Sequence, residues 1–259
     1  GGVRHMTIEM TCPTCGSHDI SKNGTTRRGK QNYKCRDCNR QFVEDPQWKP
    51  KDKDTRSLVD LLLLEKIALA GIARATGVSD SWLQSYANTC YEAVPKTTVV
   101  IPKTKGKLKV QMDELWSFVN DKGHKQWVWV AIDADTREII GCHIGDRSRA
   151  SAMALWQSIP GVYKQCAKVY TDYWEAYVEV IPSKRHVAVG KESGLTSYIE
   201  RLNNTLRQRI SRLVRKTLSF SKKLENHIGA IWMFIHDYNR QVREKLAERE
   251  GPLFSSVLY

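Results

Sequence analysis

Leu108-Lys109-Val110-Gln111-Met112-Asp113 alternates apolar and polar residues and ends on a carboxylate, the pattern of a strand with one face buried. Downstream, Trp127-Val128-Trp129-Val130-Ala131-Ile132 is apolar on both faces and reads as a central strand. The turn Asp133-Ala134-Asp135-Thr136 joins it to a third strand over residues 138–144. Residues 151–159 then read as a connecting helix, 168–172 as a short strand ending on Asp172, and 185–189 as a fifth strand.

Three sequential strands followed by alternating helices and strands predict an α/β domain with a mixed five-stranded sheet, the ribonuclease-H-like arrangement. In the long helix that follows, Leu202, Leu206, Ile210 and Leu213 fall on one narrow stripe. Glu200 lies nearly opposite, with Arg207 and Ser211 close to its own line. Between Arg201 and Lys223 there are eight Lys or Arg and no Asp or Glu, unlike a salt-bridged surface helix.

Asp113, Asp172 and Glu200 therefore form a candidate trio of two strand-end aspartates and one helix glutamate. In-line attack on a phosphodiester needs an activated nucleophile and a stabilised leaving oxygen. Two divalent ions about 4 Å apart supply both, and hard carboxylate oxygens hold them. Other readings of the same residues stay open. Glu200 also completes a Ser197-x-x-Glu200 capping box, Glu114 rivals Asp113, and Asp172 suits a turn. Asp133 and Asp135 read as hairpin-turn residues, and His186, His227 and His236 as structural.

Near the N-terminus, Cys12-Pro13-Thr14-Cys15 and Cys35-Arg36-Asp37-Cys38 are separated by nineteen residues. Two such knuckles make a four-cysteine tetrahedral zinc site, which would supply the folding energy of so small a unit. A Pro- and Lys-containing linker follows. Residues 72–87 then read as a helix-turn-helix: Ala73 and Ala75 permit close packing, Gly77 makes the turn, Val78 plugs the gap, and Ser79 or Asp80 caps the second helix. Leu58, Leu61, Leu62, Leu64, Ile67 and Leu69 supply a supporting helix. Ser81, Gln84, Ser85 and Asn88 would face bases in a major groove.

The whole chain has 259 residues and a net charge of +13, with 41% hydrophobic residues, eight Trp and ten Tyr. That is enough apolar material for a real core, and the basic excess points to a polyanionic partner. No run approaches the roughly 20 apolar residues that span a bilayer, and the first residues lack the apolar core of a signal peptide. Met6 is the expected natural start. Seven cysteines, an odd number with four in two CxxC pairs, suggest metal binding in a reducing compartment, best matched by the cytoplasm.

The segments 111–119, 170–177 and 199–208, extended by 215–222, resemble the insertion sequence one family of DDE transposases. The resemblance implies Asp113, Asp172 and Glu200 as the catalytic triad with Mg²⁺ or Mn²⁺, and a structural Zn²⁺ on Cys12, Cys15, Cys35 and Cys38. It implies that Arg207, seven residues beyond Glu200, assists DNA binding and that the N-terminal half recognises terminal inverted repeats; Arg212, Arg215 and Lys216 of the same basic run are expected to contact DNA as well. The expected partition is a zinc ribbon (8–45), linker (46–56), helix-turn-helix domain (57–96), catalytic domain (106–223) and C-terminal helical extension (224–259). The expected partners are double-stranded DNA, both transposon ends and target, and at least a second copy of the chain; no membrane is expected. A nucleoid-associated, cytoplasmic enzyme that cleaves strands and transfers 3′-hydroxyls follows. A domesticated non-catalytic regulator, or a ribonuclease-H-superfamily nuclease that cleaves without joining, are the alternatives.

Overall fold

The computed structural model describes residues 10–27, 29–43, 51–213 and 222–250, and the chain divides into two units, Gly1–Lys53 and Asp54–Tyr259. In the first unit, β1 (Ile20–Thr25), β2 (Gln31–Cys35) and β3 (Gln41–Val43) form an antiparallel sheet in that order. Gly24, at the register shift near the end of β1, and Gly29, in the β1–β2 connection, both have positive φ, a conformation that costs glycine nothing.

The second unit opens with α1 (Lys53–Leu63), α2 (Leu69–Thr76) and α3 (Asp80–Ala93). Gly77 ends α2 in the left-handed conformation, and the Ser79 side chain accepts a hydrogen bond from the Trp82 N–H to cap α3. Val59, Ile72, Ala73, Val78 and Leu83 are buried together, so Val78 does plug the space between the helices. Ala75 is exposed, and so are Leu58 and Leu61. Only Ala73 of the two alanines meets a neighbour helix, because successive helical positions turn away from one another.

A five-stranded sheet follows, in the order β6-β5-β4-β7-β8. Its strands are β4 (Lys109–Phe118), β5 (Lys125–Asp133), β6 (Ile139–Gly145), β7 (Lys168–Thr171) and β8 (His186–Ala188). The first three make an antiparallel meander; β7 and β8 lie parallel to β4. Val128, Val130 and Ile132 face one core while Trp129 and Ala131 face the other, which is why β5 is apolar throughout. One face is covered by α4 (Arg149–Ser158), α5 (Gly161–Cys166) and α6 (Glu175–Val180). The other is covered by α7 (Ser197–Arg209) and α8 (Leu224–Glu250). The sheet and its two helical layers are the ribonuclease-H-like arrangement expected.

Two differences from the sequence reading bear on the site. Asp113 lies inside β4 rather than at its end, since β4 stays paired with β5 as far as Phe118. The four-residue β7 leaves β4 after Gln111, so the β7 side of β4 opens just where Asp113 stands. The helix projected through Leu213 stops at Arg209, and Ser211–Leu213 is a 3-10 turn; Leu202, Leu206, Ile210 and Leu213 are nevertheless all buried in one core.

The 27-residue α8 joins the parts. Ile231, Trp232, Phe234 and Ile235 pack under the sheet, while Ala230 and Met233 pack on Ala87 and Tyr91 of α3. Asn239 acts as a substitute strand for the edge of the sheet: its Oδ1 accepts from the Ile139 N–H and its Nδ2 donates to the Ile139 carbonyl, both at 2.8 Å. No described helix is long and apolar enough to cross a membrane. Arg28, most of the linker and residues 251–259 lie outside the described residues.

Gly229 sets the approach of α8 to α3. A Cβ there would lie 2.6 Å from both the Cα and the carbonyl oxygen of Tyr91, backbone atoms that cannot swing aside. Gly229→Ala is therefore expected to destabilise the unit by about 1–3 kcal/mol, the usual cost of overpacking, as read by urea unfolding. A midpoint equal to or above wild type would show that the two helices are not held this closely.

Candidate metal centres and nucleic-acid surface

Each cysteine pair sits on a backbone turn that its sequence demands. Gly16 takes a positive φ after Cys15, and its N–H donates to the Cys12 carbonyl at 2.9 Å; Asn39 takes a positive φ after Cys38. The two turns bring all four Sγ atoms within 4.8 Å of one another. Cys12 and Cys38 are 3.5 Å apart and Cys15 and Cys35 3.6 Å, far too long for disulfides. Tetrahedral zinc with Zn–S near 2.3 Å requires sulfurs about 3.8 Å apart, so the donor set fits. Burial opposes ionisation of Cys12, but the backbone N–H groups of Cys15 and Thr14 and the neighbouring thiols bring it down to about 6.

The acidic centre lies beside the open flank of β4. Oxygens of Asp113, Glu114 and Asp172 come within 4.8 Å of one another, the one carboxylate group of this kind among the described residues. Asp172 follows the last residue of β7 and accepts the Trp174 N–H at 3.0 Å. Asp113 accepts from the Glu114 N–H at 2.9 Å and from Asn203 Nδ2 at 2.7 Å. Burial first, then the charge of Glu114, raises the Asp113 carboxyl to about 7. Asp172 adds to that repulsion.

Glu114 points to the other face of the sheet. Its Oε1 accepts from Arg147 Nε and Nη2 at 2.9 and 2.8 Å, and its Oε2 accepts from the Tyr177 hydroxyl at 2.8 Å. The Arg147 guanidinium is itself sandwiched between the rings of Trp127 and Trp174. Both oxygens of Glu114 are thus engaged, one by Arg147, whose side chain is 38% exposed, and the other by the Tyr177 hydroxyl, whereas Asp113 and Asp172 make none of the ion pairs found among the described residues. Beside them the Oδ1 of Asn203 is buried without a hydrogen-bond partner. Crowded hard oxygens and an orphaned amide carbonyl suit a divalent cation such as Mg²⁺.

Glu200 is not in that group. Helix α7 lies along β4: Gln111 Oε1 accepts the N–H groups of Tyr198 and Ile199, Asn203 reaches Asp113, and Arg207 Nη1 donates to the Trp116 carbonyl at 3.4 Å. Glu200 stands one turn before Asn203 on this helix. Its Oε1 accepts from the Thr196 hydroxyl at 3.1 Å, so the expected Ser197 capping box is not formed. Thr196 rather than Ser197 is the N-cap, and the amide of Gln111 does the capping from the sheet. Gln111, Asn203, Arg147 and Tyr177 escaped the sequence reading. Gln111 carried one signal, since it shares Asp113's face of the strand at i−2.

The candidate DNA-reading residues divide. Ser81 and Ser85 are exposed on α3. Gln84 donates to Asn88 Oδ1 at 2.8 Å, and Asn226 of α8 donates to the same oxygen at 2.9 Å. Gln84 and Asn88 line a cavity of about 420 Å³ together with Arg212, Lys222 and Lys223. Arg212 also lies over the Tyr91 ring. Arg215 and Lys216 lie outside the described residues. His227 is fully buried with its Nε2 2.9 Å from Ser117 Oγ, and burial holds its imidazole down to about 4.

Comparison with known proteins gives two family matches: IS1 transposase over residues 108–241, and the InsA N-terminal domain, a zinc ribbon, over residues 6–39. The insertion element iso-IS1n protein InsB of Shigella dysenteriae is 34% identical over 128 residues, which is 49% of this chain and 94% of that protein. The IS1 protein InsB of Shigella flexneri is 33% identical over 126 residues, 49% of this chain and 92% of that one. The IS1 2 protein InsB of Escherichia coli K12 is 32% identical over 126 residues, 49% and 72% of the two chains.

Two measurements test these centres. A Cys35→Ser, Cys38→Ser variant is expected to lose its bound zinc by metal analysis while residues 54–259 still unfold cooperatively; retained zinc would contradict the four-thiolate site. The second uses Asp113, whose carboxyl is raised from 3.8 to about 7 in the folded protein. Folded protein then keeps a proton that the unfolded chain releases between about pH 4 and 7, so stability falls as pH rises through that window. Without added Mg²⁺ at pH 8, Asp113→Asn is expected to be more stable than wild type by on the order of 1–3 kcal/mol. Equal or lower stability of the variant would mean that Asp113 carries no such strain.

Proposed function

The chain belongs to the IS1 transposase family, and from that premise we propose that it binds the terminal inverted repeats of its element, cleaves strands there and joins the freed 3′-hydroxyls to target DNA. Membership implies action on DNA by phosphoryl transfer. The observation that carries the finer reading is the meeting of Asp113 and Asp172 where β7 leaves β4, with the orphaned Asn203 oxygen beside them. Sites at the carboxyl ends of parallel strands, where neighbouring strands diverge, are where α/β sheets hold their ligands.

In this reading Asp113 and Asp172 are two of the metal-holding carboxylates and Glu200 is the third, reaching the site from α7 by side-chain rotation away from Thr196. Mg²⁺ or Mn²⁺ bound there would activate the attacking oxygen and stabilise the leaving one. Asn203 orients Asp113 through its amide. Glu114 keeps Arg147 between the two tryptophans and so walls the site on its far side. Arg207, Arg212, Arg215 and Lys216 follow Glu200 in sequence and steer phosphates toward it.

Ser81, Gln84, Ser85 and Asn88 present the base-reading face of α3. The ribbon (8–45), linker (46–56), helix-turn-helix (57–96), catalytic domain (106–223) and C-terminal extension (224–259) are its working parts. Two ends must be held together, so the acting species is at least a homodimer, working on the nucleoid in the cytoplasm.

Asp172→Asn and Glu200→Gln each remove a charge while keeping shape. Each is expected to fold and to bind DNA normally, yet to lower cleavage and joining together by roughly 10²–10³ or more in a Mg²⁺ strand-transfer assay. Glu114→Gln breaks its ion pair, so it should lower stability but keep most activity per folded molecule. Normal transposition by Glu200→Gln together with a dead, folded Glu114→Gln would reassign the third carboxylate to Glu114.

A further inference from the structure

A second cavity, of about 380 Å³, opens beside the first turn of α7. Its wall includes Lys109, Arg137, Tyr170, Leu195 and Tyr198, with Asp135 at the rim. Lys109, Gln111 and Asp113 alternate along one face of β4, so Lys109 stands roughly 14 Å from Asp113 at about 3.4 Å per residue. Gln111 between them is already committed to the α7 N–H groups. The cavity therefore continues the face of the sheet that carries the acidic centre.

Arg137 is the unusual member. It occupies the β5–β6 turn at φ +71°, a left-handed conformation disfavoured for any residue with a Cβ and ordinarily filled by Gly or Asn. Its guanidinium lies over the Tyr198 ring, and its Nη1 is buried without an acceptor. Arg137 also lines the cavity, and a phosphate oxygen is the acceptor that a guanidinium matches best. The volume suits one nucleotide rather than a duplex. Tyr170 adds aromatic surface of the kind on which unpaired bases stack, and Tyr198, one ring face of which Arg137 covers, lines the same cavity. Asp135 is exposed, where water and salt screen its charge.

We propose that this cavity binds one nucleotide of a single DNA strand leading away from the acidic centre, with Arg137 and Lys109 on its phosphate and the tyrosines against its base. The identity of the ligand rests on the transposase reading; the site itself is separately testable, because the measurement is binding and involves no cleavage.

Fluorescence anisotropy on the full-length, zinc-loaded protein compares a short blunt duplex with the same duplex carrying a single-stranded thymidine tail on a 3′ or a 5′ end. Wild type is expected to prefer at least one tailed probe. Arg137→Gly, which relieves the backbone at the turn and so should fold at least as well, is expected to bind that probe roughly tenfold more weakly, the loss of about one charge-assisted phosphate contact, with blunt-duplex binding unchanged. Tyr198→Ala should also reduce the preference without affecting the blunt probe. A wild type without preference, an Arg137→Gly that keeps it, or equal losses on both probes would overturn the site. Failure of the transposase reading is seen elsewhere, as undiminished cleavage by Asp172→Asn.

Discussion

The amide oxygen of Gln111 accepts two backbone N–H groups at the start of α7, and the geometry of the acidic centre depends on that contact. Those N–H groups belong to the first turn of a helix, where no intrahelical acceptor exists, and Ile199 is fully buried, so water cannot substitute. The same face of β4 presents Asp113 two residues later, and α7 brings Asn203 to it over the following turn. Helix and strand are thus keyed at separate points, and the register between them cannot slide without stranding buried polar groups. Ile199, Leu202 and Leu206 supply the cohesion, at about 1.5–3 kcal/mol for each fully buried side chain, but apolar contacts alone would tolerate a slip that the amides forbid.

Around this key the chain concentrates unfavourable charge. Three carboxylates meet in a small volume, and one of them, Glu114, is satisfied by Arg147 and Tyr177. Asp113 is left with an amide, a backbone N–H and the repulsion of its neighbours, which together with burial makes ionisation difficult. Such a cluster opposes folding of the chain taken alone. It is the expected signature of a site whose stability is completed by a cation it binds. The sandwich of Arg147 between Trp127 and Trp174 limits the cost, because the guanidinium keeps hydrogen bonds along its edge while its faces are covered by rings.

The helix-turn-helix is bound into the same body. Tyr91 sits on Gly229, and Asn88 shares its oxygen between Gln84 and Asn226. Part of the polar face of α3 is therefore occupied by hydrogen bonds to its own chain, while Ser81 and Ser85 are open to solvent. Lys222, Lys223 and Arg212 border that face, so bases and phosphates approaching α3 would meet positive charge from the segment after α7. Helix α3 and the acidic centre then share one framework, with α8 as the common support.

Period and spacing alone determined much of this protein. Alternation at Leu108–Met112, apolarity on both faces of Val128–Ile132, the two CxxC pairs and Gly77 each act through local geometry, and each element they predict is present. The meeting of Asp113 and Asp172 also followed, because both flank one parallel strand pair. Tertiary structure alone decided the rest. Glu114 joins the carboxylate group because Arg147 and Tyr177, 33 and 63 residues away, hold it there. Glu200 turns to Thr196 and Asn203 takes the place beside Asp113, which no helical wheel distinguishes. A wheel or an alternation pattern specifies the face a residue occupies; which polar atom on that face finds a partner is settled by distances between elements far apart in the chain, and these exist only once the sheet and its helices are packed.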